Sequence, residues 1–303
     1  MFIIEEEEEK REIQKERALK LARFYNEEGL YKDAVRSFEL YIFLQGKESV
    51  DYSIYKELGV CYSLLGKNSE AILRLEKAYS LNPESDKVMY LLAQMYEQTG
   101  NYNKAEEYYK KIIGVKGAED VAVNYSLGGI ELRKGERDKA ISYFEKVIEI
   151  EPTNGHAYYI LGEIYYQKDE LKKAEKYFKH AHENGIKRVS VYEYLGNISL
   201  KQGNIENAKI NFLVAAGKEQ WNGVHYKNYL KCLSEDEIIK EKRVMEELED
   251  YDLNFFRLGL IELHKGNIER AKTIFVELER RENSSIIKKS IRDELNEIQY
   301  GKK

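Results

Sequence analysis

The chain has 303 residues, of which 43% are hydrophobic and 2 are proline. Its 49 basic and 54 acidic residues give a formal net charge of -5 and are interleaved, which argues against nucleic-acid binding because such binding needs a net basic face. Two distant cysteines form no disulfide framework and predict a cytoplasmic protein, and no segment reaches the roughly 18 apolar residues required for membrane insertion.

Residues 1–14 are predicted to form an N-terminal helical extension. The apolar run at the start, MFII, is too short for a signal peptide and is followed by glutamates instead of a cleavage site. Acidic residues are favourable at the start of a helix, where they face the positive end of the helix dipole. An acidic docking tail is the alternative interpretation.

A recurring glycine is the strongest signal from residue 15 onward. The glycines at 66, 100, 135 and 203 follow one another at steps of 34, 35 and 68 residues, and Asp169 stands midway in the last step. Alanine lies five residues after each of these five positions, and an aromatic residue or leucine lies four residues further on: Ala71 and Leu75, Ala105 and Tyr109, Ala140 and Phe144, Ala174 and Phe178, Ala208 and Phe212. The pattern predicts six units in residues 15–222 and a seventh clear unit in residues 252–285.

Each unit contains two helices, because apolar residues recur at helical spacing on both sides of the glycine. A small residue seven positions before the glycine, such as Gly128, and the alanine after it allow the two backbones to approach closely. The glycine itself can adopt a left-handed backbone that ends the first helix. One unit cannot bury its apolar face alone, so neighbouring units must stack.

This pattern resembles the tetratricopeptide-repeat family, whose consensus is W-x2-L-G-x2-Y, then A-x3-F, then P. One unit carries Tyr55, Leu58, Gly59, Tyr62 and Ala71 in this register, with Tyr in place of Trp. The closing proline is kept only at Pro83 and Pro152. The resemblance implies an all-α fold, a right-handed α-solenoid of stacked antiparallel helix pairs.

Residues 223–251 lose the motif but keep helical character, and we interpret them as a degenerate helical hairpin. The first helix offers Val224, Tyr229 and Leu230 for packing, and Ser234 with Glu237 forms a predicted capping box. The second helix is predicted to bury five residues: Ile238, Ile239, Val244, Met245 and Leu248. The segment is either a shortened repeat or a bend that shapes a partner site.

Residues 286–303 are predicted to form a capping helix and tail, with Ile286, Ile287, Ile291 and Leu295 on its apolar side. Such a helix covers the open end of the last unit with a polar outer face. A dimerisation helix is the alternative.

The sequence contains no P-loop, GxSxG, HExxH or dinucleotide fingerprint. His180 and His182 are two residues apart and therefore point to different sides of a helix. We predict no enzyme activity, no catalytic residue, no cofactor and no metal site.

In the related family, the first helices of successive units line a concave groove that binds a protein or peptide. The residues of this chain at the corresponding positions are Tyr90, Gln94, Tyr125, Arg133, Tyr159, Glu163, Tyr166 and Asn197. No unit has the Lys and Asn pair with which some family members hold a C-terminal carboxylate. The groove is rich in tyrosine, but with 25 tyrosines in the chain this enrichment could reflect composition alone.

The resemblance favours a protein-interaction scaffold or adaptor. The alternative is a peptide-responsive sensor that changes the shape of its superhelix on binding. Self-association into a homo-oligomer, through groove ends or uncapped edges, stays open.

Overall fold

A computed structural model describes residues 2–46, 50–116, 120–247 and 251–301. These residues form seventeen α-helices joined by short connections, and no strand occurs among them. They belong to two compact units, Met1–Pro152 and Thr153–Lys303. The prediction of an all-α fold is therefore confirmed.

Unit 1 contains eight helices within its described residues. They are α1 (Phe2–Glu27), α2 (Tyr31–Gln45), α3 (Tyr52–Leu64), α4 (Asn68–Leu81), α5 (Asp86–Gln98), α6 (Tyr102–Lys116), α7 (Val121–Arg133) and α8 (Arg137–Ile150). The predicted extension is continuous with the first repeat helix in α1, and Arg11 donates hydrogen bonds from Nε and Nη2 to the Leu44 carbonyl at 3.0 and 2.7 Å. The helices pack as the pairs α1–α2, α3–α4, α5–α6 and α7–α8, and each pair stacks on the next.

Unit 2 contains nine helices within its described residues. They are α9 (Gly155–Gln167), α10 (Leu171–Glu183), α11 (Val189–Lys201), α12 (Ile205–Lys218), α13 (Gly223–Leu230), α14 (Glu235–Glu247), α15 (Tyr251–His264), α16 (Ile268–Arg281) and α17 (Ser285–Tyr300). The regular pairs are α9–α10, α11–α12 and α15–α16. Both units are thus stretches of α-solenoid, although the boundaries of the individual repeats stay predictions.

The turn inside each regular pair requires a left-handed residue. Gly66, Gly100, Gly135 and Gly203 have φ between 72° and 81°, as predicted. Asp169 adopts the same conformation with φ of 59°, and its carboxylate accepts a hydrogen bond from Lys201 Nζ at 2.8 Å. Aspartate tolerates this region because its short polar side chain can bond locally. The substitution of glycine by aspartate therefore leaves the turn intact.

The two helices of a regular pair approach most closely where a glycine faces a large side chain sixteen residues later. A Cβ built on Gly128 would lie 2.8 Å from two carbons of the Phe144 ring. The same contact recurs in other pairs, at Gly59 with Leu75, Gly162 with Phe178, Gly196 with Phe212 and Gly259 with Phe275. The predicted close approach is correct, but the small residue makes room for a large side chain, either leucine or phenylalanine, as well as for the facing backbone.

Gly128 and Gly129 provide a direct test of this contact, because both lie in α7. A Cβ at Gly129 would meet only the flexible Arg133 guanidinium, at 3.9 Å. We expect Gly129→Ala to stabilise the protein by about 0.5–1 kcal/mol, since alanine favours the helix. Gly128→Ala should be less stable than Gly129→Ala by about 1–3 kcal/mol, because it overpacks the Phe144 contact. Urea denaturation of the two variants measures the difference, and equal stabilities would contradict this packing.

The segment after α12 keeps part of its predicted structure. The capping box is confirmed: Ser234 N donates to Glu237 Oε2 at 2.8 Å, and Glu237 N donates to Ser234 Oγ at 3.4 Å. α13 packs on α12 and α15, and α14 packs on α15. Because α13 and α14 pack on these helices more than on each other, they do not repeat the arrangement of the regular pairs.

Several burial predictions for this segment were wrong. Val224 is 49% exposed, and α13 instead buries His225 and Tyr226 with Leu230. In α14, Ile238 and Met245 are buried as predicted, whereas Ile239 and Val244 are 48% and 46% exposed. The cause is that α14 packs chiefly on α15, which covers only part of its surface. Leu248 lies outside the described residues.

The C-terminal helix α17 packs on α16 and reaches back to α13. Ile291 is fully buried, whereas Ile286, predicted to be on the apolar side, is 76% exposed. Lys227 of α13 pairs with Glu294 and Glu297 of α17 at 2.5 and 2.7 Å. The predicted cap therefore uses charged contacts as well as apolar ones.

A buried carboxylate replaces the usual tyrosine in α15. Glu262 is fully buried, and its Oε1 lies 2.7 Å from Lys242 Nζ of α14 and 3.4 Å from Arg270 Nε of α16. Asn267 Nδ2 donates to Glu262 Oε2 at 2.7 Å. At the corresponding position of other repeats, Tyr62 and Tyr96 donate to Glu39 and Glu76. The carboxylate is stable here because α14 supplies a lysine.

Glu262→Gln tests this link between α14, α15 and α16. Burial raises the pKa of Glu262, but hydrogen bonds from Lys242 and Asn267 outweigh it and hold the pKa below its usual value. A carboxyl group with a lowered pKa stabilises the fold above its unfolded pKa, and this contribution is lost as pH falls through the folded pKa. At neutral pH we expect a loss of about 1–3 kcal/mol, since both cations keep access to water.

Chemical denaturation from neutral pH to below about pH 4 provides the measurement. The difference between wild type and Glu262→Gln should shrink as Glu262 becomes protonated. Glu269→Gln, at an exposed position of α16, is the matched control and should differ little from wild type. A difference that is independent of pH would contradict the charged role of Glu262.

Candidate partner-binding faces

The first helix of each regular pair presents one side to solvent, and most of the predicted partner-binding residues lie there. We call this side of α3, α5 and α7 the A-helix face of unit 1, and this side of α9 and α11 the A-helix face of unit 2. Tyr90, Gln94 and Tyr125 are half-buried on the first face; Tyr159, Glu163, Tyr166 and Asn197 are half-buried on the second. Half-burial leaves part of each side chain available to a partner while its base is fixed.

Unit 1 carries a pocket of about 510 Å³ on its A-helix face. Its lining comes from α3, α5, α6 and the start of α7: Lys56, Asp86, Lys87, Tyr90, Leu91, Ile112, Asp120 and Ala122. Asp120 is fixed as the N-cap of α7, because its carboxylate accepts a hydrogen bond from Val123 N at 3.0 Å. The pocket combines an apolar lining with lysine and aspartate side chains, a composition suited to an apolar side chain of a bound chain.

Aromatic packing positions the two tyrosines of this face. The Tyr90 ring meets the buried Tyr109 ring edge to face, with centroids 5.6 Å apart. Tyr125 meets Phe144 in the same way at 5.4 Å. Each tyrosine is therefore anchored on the aromatic residue of its own pair, and its orientation is set before any partner binds.

Arg133 is exposed, unlike the other predicted residues, and it too is already paired. Its Nη1 lies 2.6 Å from Glu97 Oε1 of α5, and its guanidinium group lies 5.7 Å from the centre of the Tyr102 ring. This pairing joins two neighbouring first helices. A partner carboxylate would have to compete with Glu97 for Arg133.

Unit 2 carries a cluster of three tyrosines on its A-helix face: Tyr159, Tyr166 and Tyr194. The Tyr194 ring meets Tyr166 at a centroid distance of 5.0 Å and stacks on the buried Phe178 at 4.6 Å. Tyr159 lies 6.4 Å from Tyr194. The structure therefore brings two of the predicted tyrosines together, with Tyr194 between them.

Hydrogen bonds and cations fix the edges of this cluster. Tyr159 donates to Ser190 Oγ at 3.0 Å, and Tyr194 donates to Glu163 Oε1 at 3.2 Å. Burial, followed by the proximity of Glu163, raises the pKa of Tyr194, so its hydroxyl group stays neutral. Arg188 and Lys201 lie over the Tyr159 and Tyr166 rings at 5.7 and 5.0 Å. Cations so placed are attracted by the ring quadrupoles and leave aromatic edges open to a partner.

A polar pocket of about 390 Å³ adjoins this cluster in unit 2. The buried His225 contributes to its lining; its Nδ1 lies 3.0 Å from Glu193 Oε1 and its Nε2 lies 2.9 Å from Glu219 Oε2. Hydrogen bonds from His225 and Asn222 lower the pKa of Glu219. The contact between His225 and Glu193 joins the start of α13 to α11. The A-helix face of unit 2 therefore continues into residues 223–247 as a surface that carries charged groups.

Sequence reasoning missed Tyr194 and Leu91 as face residues. Both lie one position after the family position from which Tyr90 and Tyr159 were predicted. Leu91 lines the pocket of unit 1, and Tyr194 joins the tyrosine cluster of unit 2. The recurrence of large side chains at this next position was the available signal.

Both cysteines are buried and unpaired with each other. Burial, with a smaller effect of Glu57, raises the pKa of the Cys61 thiol to about 11, and burial also raises that of Cys232. A thiol with a raised pKa is a poor nucleophile because the thiolate is the reactive form. Over the described ranges no cluster of three or more potential metal ligands occurs, and no helix has the length and apolarity to cross a bilayer.

Comparison with known proteins identifies the repeat. The family model for the tetratricopeptide repeat matches residues 64–121 and 131–184. A TPR repeat-containing protein of Methanocaldococcus jannaschii is 37% identical over 60 residues, 20% of this chain and 18% of that protein. Anaphase-promoting complex subunit 3 of Schizosaccharomyces pombe is 28% identical over 97 residues, 32% of this chain and 14% of that protein. The chain thus spans less than a fifth of the length of either relative.

Solved structures agree on the fold. A tetratricopeptide-repeat protein from Parabacteroides merdae has a TM-score of 0.56 at 17% identity, with 93% of this chain and 99% of that chain covered. A crystal structure of the MamA protein has a TM-score of 0.52 at 25% identity, with 56% of this chain and 91% of that chain covered.

Stacked helix pairs of about 34 residues, each closed by a small residue against a large side chain, define an α-solenoid repeat protein. Three observations identify the kind of repeat: the register of the small residues, the left-handed turns and the matched family model. The chain therefore contains tetratricopeptide repeats, which the family model matches over residues 64–121 and 131–184.

Proposed function

We propose that this chain is a non-catalytic scaffold or adaptor of the cytoplasm, which binds a partner polypeptide on the A-helix faces of its repeats. The observation that carries the proposal is the pocket of unit 1. It is apolar enough to accept a large aliphatic or aromatic side chain, and its lining also includes two lysines and two aspartates that can bind polar groups of a partner: Lys56, Lys87, Asp86 and Asp120.

The tyrosine cluster of unit 2 supports the same role. Tyrosine contributes a large contact area and a hydroxyl group at little cost in conformational entropy, and it is enriched among residues that dominate binding energy. Neighbouring side chains hold the rings of Tyr159, Tyr166 and Tyr194, so binding a partner costs these tyrosines little conformational entropy.

Two further features favour a scaffold over an enzyme. The raised thiol pKa of Cys61 is unsuited to nucleophilic catalysis. The relative from Schizosaccharomyces pombe is named as a subunit of the anaphase-promoting complex, a multiprotein assembly. The two free buried cysteines are compatible with a reducing compartment, which is the basis for proposing the cytoplasm.

Filling the pocket of unit 1 tests the proposal without disturbing the core. Ala122 is exposed and lines the pocket, so Ala122→Trp should occupy it while the fold is kept. A displayed library of random peptides is selected on the wild-type protein, and the affinities of selected synthetic peptides are measured by fluorescence anisotropy. We expect Ala122→Trp to weaken binding by about tenfold or more.

Ser142→Trp is the matched control, because Ser142 is exposed on α8, the second helix of its pair. It should keep wild-type affinity, and circular dichroism melts of both variants report folding. Failure to select any peptide on the wild type, or equal affinities of the two variants, would contradict binding at this pocket.

A further inference from the structure

The outward side of α12 carries an apolar stripe. Ile210, Leu213 and Val214 are 60%, 43% and 37% exposed, and they lie at the spacing of neighbours on one side of a helix. Exposed apolar side chains that adjoin one another, unlike scattered ones, mark surfaces that contact another molecule. This stripe lies on a second helix of a pair, so it is separate from the A-helix face of unit 2.

Other repeats do not share this stripe. In each of α4, α6, α8 and α10, the positions that correspond to Leu213 and Val214 hold polar side chains: Glu76 and Lys77, Lys110 and Lys111, Glu145 and Lys146, Lys179 and His180. These side chains suit a helix surface in contact with water. The apolar pair in α12 is thus a departure that the repeat fold itself does not require.

A shallow groove of about 310 Å³ extends the stripe toward α14. Its apolar lining includes Ile210 and Leu213 of α12, Leu233 before α14, and the exposed Val244 of α14. Lys209 at its edge is already paired, with Nζ 2.9 Å from Glu206 Oε1 and 2.7 Å from Glu237 Oε1. A helix could therefore lie along this groove without leaving Lys209 unpaired.

The charges beside the stripe are arranged symmetrically about its centre. Glu206 lies four residues before Ile210, and Lys218 lies four residues after Val214. When two such helices pack antiparallel, Ile210 faces the partner's Val214 and Glu206 faces the partner's Lys218, each contact occurring twice. The Glu206 side chain is 78% exposed, and Lys218 is exposed with its Nζ 5.4 Å from the Tyr192 ring. Both charged groups are thus within reach of a second chain.

We propose that two copies of this chain associate through an antiparallel pair of α12 helices, each lying against the groove between α12 and α14 of the other. A two-fold arrangement of this kind uses the same surface on both copies, which requires the surface to be complementary to itself. The apolar centre with opposite charges at its two ends meets that requirement. This association is independent of the partner polypeptide proposed above.

Sedimentation equilibrium of the full chain over an about hundredfold range of concentration tests the association. Wild type should show a reversible rise from the 35.6 kDa of one chain toward twice that mass. Ile210→Glu should weaken the dimer by about tenfold or more, because it buries a charge in the apolar centre. Leu73→Glu is the control: Leu73 holds the corresponding position of α4 and is 59% exposed, so this variant should dimerise like wild type.

Charge reversal tests the antiparallel register. Glu206→Lys alone and Lys218→Glu alone should each weaken the dimer by about tenfold, because like charges then face one another twice. The double variant Glu206→Lys with Lys218→Glu should return to within about threefold of wild type, since both pairs are restored with opposite sign. Thermal melts of all variants separate loss of association from loss of folding.

A wild-type protein that stays monomeric over the whole range would overturn the proposal, including the case in which the stripe binds an unrelated protein. Equal dimerisation of Ile210→Glu and Leu73→Glu would also overturn it. A dimer that is lost in Ile210→Glu but is not restored in the double charge variant would refute the antiparallel pairing and with it the proposed interface.

Discussion

The contact between a small residue of the first helix, which is glycine in five pairs, and a large side chain of the second is the constraint on which the regular pairs depend. At Gly128 and Phe144 there is no room for even one more carbon atom. Because this contact fixes the distance between the two helices, it also fixes which sides remain for stacking and which face water. The tyrosines of the A-helix faces are built directly on it, since Tyr125 packs on Phe144, and Tyr159 and Tyr194 pack on Phe178.

Much of this architecture could be predicted from the sequence, because a residue pattern that is weak in one repeat recurs at the same spacing in several. Small residues, turn glycines and alanines at one period specify helix pairs, and even Asp169 was recognised as a turn residue from its place in the register. The same reasoning failed in residues 223–247, where no repeat fixes the register. There, Ile239 and Val244 were expected inside because they are apolar, although α14 packs chiefly on α15 and leaves both of them about half exposed.

The candidate binding faces were predicted only in part. Positions taken from the family identified Tyr90, Tyr125, Tyr159 and Tyr166, but the pocket of unit 1 also needs Leu91, Ile112 and the start of α7, which come from different helices. Such a pocket depends on how successive pairs stack, and periodicity along one chain does not contain that information. The role of Arg133 was similarly hidden, since its pairing with Glu97 joins two repeats. Which of these residues a partner contacts stays a prediction.

The buried Glu262 has a consequence for how such a chain can evolve. Its charge is balanced by Lys242 from the preceding helix and by Arg270 from the following one, so its environment is shared among three helices. A duplicated copy of α15 and α16 would carry the glutamate and the arginine but leave the lysine behind. A repeat joined in this way cannot be moved, deleted or copied alone without a compensating change in the neighbouring helix. The last helices are therefore coupled through one charge that three of them share, so a change in any of the three alters the surroundings of that charge.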